Sequence, residues 1–145
     1  MNKSVQNIAT IAARVLLGLI FFVFGLNGFL QFIPMPPPSG QGGAFVMALL
    51  ATGYMFPLIK GVEVIGGLLL LANRAVPFAL VILAPIIVNI AAYHVILEPG
   101  FGMVVVLGVL TTYLAYVHRD QFAPLFRSRS TQLGATDTSR TAEAH

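Results

Sequence analysis

The chain has 145 residues, room for one domain, with 57% hydrophobic and only 9% charged residues. Soluble domains carry ~25% charged residues, so this composition cannot coat a water-facing surface, and a bilayer is the environment it fits. The net charge of +3 comes from basic residues scattered at the ends of apolar runs, a pattern of membrane orientation that argues against nucleic acid as a partner.

The first apolar run covers residues 8–33. It is far longer than the ~7–15 residues of a signal-peptide core, no A-x-A cleavage site follows, and it is expected to stay attached as a first span. Residues 35–43, MPPPSGQGG, are too proline-rich for a helix and read as an external loop. Residues 44–55 are apolar but too short to cross, so they form either an interfacial or re-entrant helix or a leading extension of the next span.

Pro57 suits the first turn of a second span over about 57–72. Asn73-Arg74 forms a turn, and Pro77 opens a third span over about 75–97, where Pro85 removes a backbone donor beside Asn89. Glu98-Pro99-Gly100 breaks it. A fourth span runs over about 102–117 and stops at His118-Arg119-Asp120. Residues 127–145 are Ser/Thr-rich and are expected to be a disordered cytoplasmic tail. The expected fold class is therefore all-α membrane protein: a four-transmembrane-helix bundle over 1–126, with a short interfacial helix before the second span.

Lys3, Arg14, Arg74, Arg119, Arg127, Arg129 and Arg140 fall on one side of four spans, seven of the eight basic residues. That side is the cytoplasm by the positive-inside rule. Both termini are expected there, in a multi-pass protein of the cell membrane.

The polar residues inside the spans are the candidates for function. Nine Leu, Ile and Val residues of the second span contribute about −3 to −5 kcal/mol. Lys60 and Glu63 oppose this by up to about 3 kcal/mol each at the bilayer centre, less for Lys60, which can snorkel. Gly66 and Gly67 share the face of Glu63 and turn it into the bundle. Asn27 and Gln31 form an i,i+4 pair in the first span, and Asn89 with Tyr93, then His94 with Glu98, do so in the third. Topology collects all of these in the outer half, and a polar pocket built from Glu63, Lys60, Asn89, Tyr93, His94, Asn27 and Gln31 is the inference.

Taken singly, Asn27, Gln31 and Asn89 fit ordinary interhelical hydrogen bonding. Glu63 is the member whose burial asks for a function. His118 and Arg119 read as interface anchors. Gly18, Gly25, Gly28 and Arg14 form a packing seam on the first span, and Gly108, Thr112 and Tyr116 a second stripe on the fourth. No cysteine is present, and His94, His118 and His145 lie far apart, so thiolate chemistry and metal motifs are absent and no cofactor motif lies within the chain.

ARVLLGLIFFVFGLNGFLQF (13–32), GVEVIGGLLLLANR (61–74) and a third helix ending in a histidine resemble the DoxX family of small four-helix membrane proteins. The likeness covers about 8–126 and rests on Arg14…Gly18…Gly25 and Glu63-x-x-Gly66-Gly67. It implies association with quinone- or sulfur-linked redox work, with a redox or sulfurtransferase protein as partner. Many relatives carry a lysine shortly after the position matching Gly25, where this chain has Asn27-Gly28. That departure puts an anion-holding role in doubt, or moves it to Lys60. Three functions compete: a quinone-linked accessory subunit, a non-catalytic scaffold for a soluble partner, and a small-molecule or lipid carrier, which with four helices would need to form a homo-oligomer.

Overall fold

The computed structural model describes residues 3–37, 39–98 and 100–126. Among them every regular element is helical: α1 (Lys3–Leu30), α2 (Gly40–Ala51), α3 (Met55–Leu71), α4 (Val76–Ala92) running on into a π-helical turn (Tyr93–Leu97), α5 (Phe101–Val117) and α6 (Arg119–Phe126). Two helices are long and apolar enough to cross a membrane, α1 with 28 residues and Val76–Leu97 with 22, each of mean hydropathy 2.3. Counting α2 and α3 as one bent span makes three, and α5 is a shorter apolar helix. This is consistent with a membrane protein. Ile65, Val88 and Val109 expose more than half their surface, which suits side chains that meet lipid.

The helices α1, α3, α4 and α5 pack in a ring, with α1 on α3, α3 on α4, α4 on α5 and α5 back on α1. The glycine contacts fix the direction of the first pair. Gly18 lies against Gly67, Leu70 and Leu71, Gly25 against Glu63 and Val64, and Gly28 against Lys60, so α1 and α3 run antiparallel. A β-carbon on Gly67 would stand 2.5 Å from the backbone nitrogen of Phe22. Only a glycine there lets the two backbones approach this closely. On the other side, Gly66 leaves room for the side chain of Leu83 on α4. The seam on α1 therefore meets α3, a question that helical spacing alone left open.

The dry core occupies one end of this ring. Leu17, Leu70, Leu83 and Leu114 are fully buried, one from each helix. Ala13, Phe21, Val76, Ala79, Leu80 and Leu107 complete the core. These residues come from the middle of α1, the end of α3, the first half of α4 and the middle and end of α5. The buried polar residues, Asn27 and Glu63, lie toward the opposite end.

Several boundaries differ from the sequence reading. The first helix starts at Lys3 rather than residue 8, and at 28 residues it is about 42 Å long, longer than a ~30 Å hydrocarbon core. It ends at Leu30 rather than residue 33, because Gln31 turns left-handed at φ 50°. The side chain of Asn27 then clasps Ile33, accepting from its N–H at 2.6 Å and donating to its carbonyl at 3.2 Å. The 35–43 loop is shorter than expected, since Gly40–Gly43 already form the first turn of α2. That helix is separate from α3, bent from it by 94°. Gly53, at φ 76°, makes the corner at no steric cost, and Thr52 Oγ accepts from the N–H of Met55, the first residue of α3, at 3.0 Å. The expected stop at 118–120 is a pause: α6 begins at Arg119 directly after α5. Helix α4 runs through Pro85. The proposed tail, 127–145, lies outside the described residues.

Candidate functional site

Lys60 and Glu63 lie on one face of α3, three residues apart, and their side chains meet at 2.8 Å. This is the one ion pair among the described residues. Glu63 is only 4% exposed, with its β-carbon packed against Gly25 of α1. The alkyl chain of Lys60 lies over Gly28, in the slot where that residue lacks a side chain. Its ammonium is also 5.7 Å from the centre of the Phe56 ring, a favourable distance for a cation over an aromatic face. The glycines of α1 thus make room for the charges of α3. A buried carboxylate is stable only with a partner that satisfies it, and Lys60 is that partner.

A second group gathers on the π turn. The i→i+5 bond from the N–H of Glu98 to the carbonyl of Tyr93, at 3.0 Å, widens the helix by one residue. That shift changes the side-chain pairing expected from i,i+4 spacing. Glu98 accepts from Tyr93 Oη at 2.6 Å rather than pairing with His94, whose Nδ1 meets the carbonyl of Ile90 at 2.9 Å. The neighbouring α2 closes over this pair. A β-carbon on Gly42 would lie 2.5 Å from Tyr93 Oη and 2.9 Å from a Glu98 oxygen, and the ring of Phe45 stands 6.0 Å from that of Tyr93.

The seven sequence candidates are therefore not placed as one set. Lys60 and Glu63 are together, with Asn27 in the same helix pair but engaged in closing the end of α1. Gln31 lies beyond that helix end and is exposed, so it does not stack on Asn27. Asn89 is exposed on α4. Tyr93 and His94 belong to the π-turn group. No hydrogen bond among the described residues links that group to Lys60 and Glu63. No three His, Asp or Glu side chains among the described residues stand close enough to share a metal ion.

One feature escaped the sequence, and one expected packing stripe is corrected. Arg14 donates through Nη1 to the carbonyls of Leu70 and Leu71, satisfying the C-terminal end of α3 and placing a cation at its negative pole. An arginine beside a glycine seam was the signal. The stripe of Gly108, Thr112 and Tyr116 faces outward, and a β-carbon on Gly108 would meet nothing within 4 Å. It does not pack within the chain.

No protein-family model, curated protein or solved structure matches this chain.

Proposed function

We propose that the chain is a DoxX-like subunit of a quinone- or sulfur-linked redox complex, spanning the cell membrane four times with both termini cytoplasmic. The observation that carries this reading is the Lys60–Glu63 pair seated in the glycine slots of α1. Lys60 keeps 20% of its side chain exposed while Glu63 keeps 5%, so an ammonium donor is presented with a carboxylate behind it. Such a pair can donate to a quinone carbonyl oxygen and hold the proton that accompanies its reduction. Electrons come from a partner protein. The lysine that DoxX relatives carry after their first-helix glycine has no counterpart on α1, but Lys60 reaches across Gly28 and supplies an ammonium beside that position from the neighbouring helix.

Four spans are supported by the ring of four apolar helices. The shorter two, α3 and α5, have 17 residues each, at the lower end of the ~17–25 that cross a bilayer. Lys3, Arg14, Arg74 and Arg119 belong to the same end of the ring, where α1 and α4 start and α3 and α5 finish, which supports that end as cytoplasmic.

The test is mass spectrometry of what co-purifies with wild type and Glu63→Gln in mild detergent. A quinone held by the wild type and lost from the variant is expected. Equal retention by both would sink the reading. A scaffold role is favoured by one other observation, the outward groove of about 500 Å³ along Gly108, Thr112 and Tyr116 of α5. A protein partner retained equally by both forms, with no small molecule, would select it.

A further inference from the structure

The opposite end of the ring holds a groove of about 330 Å³, formed where the first turns of α1, the α3–α4 turn and the end of α5 converge. That volume is at the lower end of the ~300–1,000 Å³ typical of ligand sites. Its polar walls are Gln6, Asn7, Arg14, Asn73 and His118, and no carboxylate is among the lining residues.

The walls carry a surplus of donors. Arg14 uses Nη1 on the carbonyls of Leu70 and Leu71, and its other guanidinium N–H groups make no hydrogen bond among the described residues. A guanidinium has five N–H donors in a planar fork suited to phosphate oxygens. The side-chain amides of Gln6, Asn7 and Asn73 are likewise free of protein partners among the described residues. Three helix-end carbonyls near the groove are engaged: Arg14 holds those of Leu70 and Leu71 on α3, and His118 Nδ1 sits 2.9 Å from that of Leu114 on α5.

The walls are also held in place. Thr10 Oγ lies 3.2 Å from Tyr113 Oη of α5 and donates to the carbonyl of Gln6 at 2.9 Å. Arg14 ties the same stretch of α1 to α3. A groove pinned at both sides loses little freedom when it binds. Lys3, Arg74 and Arg119 add positive charge to this end, against Asp120 as its one described acid.

We propose that this groove binds a phosphate group, with Arg14 as its charged contact and Asn7 and Asn73 as neutral donors. Phosphate of this kind is carried by an anionic lipid headgroup or free in solution. Basic recesses between helix ends at a membrane surface suit the former.

The experiment titrates short-chain phosphatidylglycerol, short-chain phosphatidylcholine and inorganic phosphate into the full chain in mild detergent, reading thermal stabilisation and native mass spectra. Two variants accompany the wild type. Asn7→Asp adds a negative charge at an exposed position, and Asn73→Gly removes an amide while keeping the left-handed turn that Asn73 adopts at φ 54°. Neither breaks a hydrogen bond of the described fold, and unliganded midpoints check that both fold. Saturable binding of phosphatidylglycerol, weakened on the order of tenfold in Asn7→Asp, is expected, with a smaller loss in Asn73→Gly and weaker binding of the zwitterionic lipid. Saturable binding of inorganic phosphate with the same variant pattern would support the site with the free anion as ligand. Equal binding by wild type and both variants, or no saturable binding of any phosphate, would overturn it.

Discussion

The two halves of the ring solve different problems. Around the middle of α1 and the end of α3, four leucines from four helices close a dry core, and the polar groups that remain sit at its rim, on Arg14 and the groove around it. Toward the α2 end, the buried polar residues are Asn27 and Glu63, and two glycines there lie against charged or hydroxylated side chains, Gly28 on Lys60 and Gly42 on Tyr93, while Gly25 meets Val64 and the β-carbon of Glu63. Both halves use glycine, but for opposite ends. In the first, Gly67 brings backbone to backbone. In the second, a missing side chain makes room for a polar one. A small residue in an apolar helix therefore marks a close approach without saying what approaches.

The largest expected effect comes from removing the partner of the buried carboxylate. Lys60→Met should destabilise the chain by about 3–5 kcal/mol, because it leaves Glu63 buried and uncompensated. Lys60→Met combined with Glu63→Leu should recover most of that loss, since an apolar pair of similar volume can replace a buried ion pair at little cost. Thermal midpoints in mild detergent for the two single variants and the double variant complete the cycle. A neutral Lys60→Met would mean that Glu63 reaches water or another partner, and the contrast between the halves would fail.

A smaller effect tests the seam joining the halves. Gly67→Ala puts a β-carbon against the backbone of Phe22 and Gly18, atoms that cannot rotate away, so α1 must withdraw. Overpacking of this kind costs about 1–3 kcal/mol. Gly61→Ala is the control, because a β-carbon there meets nothing within 4 Å and the change also gains up to about 1 kcal/mol of helix propensity. A similar midpoint for both would show that the seam yields more easily than its geometry implies.

Much of the architecture was legible because the bilayer simplifies the code. Apolar length, prolines near the starts of α3 and α4, and the Glu98-Pro99-Gly100 break all come through in the helix bounds to within a few residues. The inward aim of Glu63 was legible from Gly66 and Gly67. The site as a set was not. Spacing arguments assume a regular helix, and the chain departs from regularity at the two places where polar residues were paired. Gln31 leaves α1 through a left-handed turn, and the π step at Tyr93 moves Glu98 off His94 and onto the tyrosine. Nothing in composition announces an extra residue in a helical turn. The role of Arg14 was hidden for a related reason: its acceptors, the carbonyls of Leu70 and Leu71, are backbone groups, on which side-chain patterns are silent.

The π turn provides the finest test of how separate the halves are. Tyr93→Phe removes one hydrogen bond, from Tyr93 Oη to the exposed Glu98. A hydrogen bond contributes about 0.5–1.5 kcal/mol net, and exposure puts this one at the low end, so the global midpoint should barely move. Hydrogen exchange gives the sharper reading, because the bond lies within the π turn, against Gly42 of α2, and touches neither α1 nor α3. Faster exchange should be confined to residues 40–51 and 93–98, which open as a local unit, while the amides of α1 and α3 keep their protection. Loss of protection spreading into α3 would show instead that the Tyr93–Glu98 contact and the Lys60–Glu63 pair are coupled through α2. The polar half would then work as a single site despite having no hydrogen bond between its two groups.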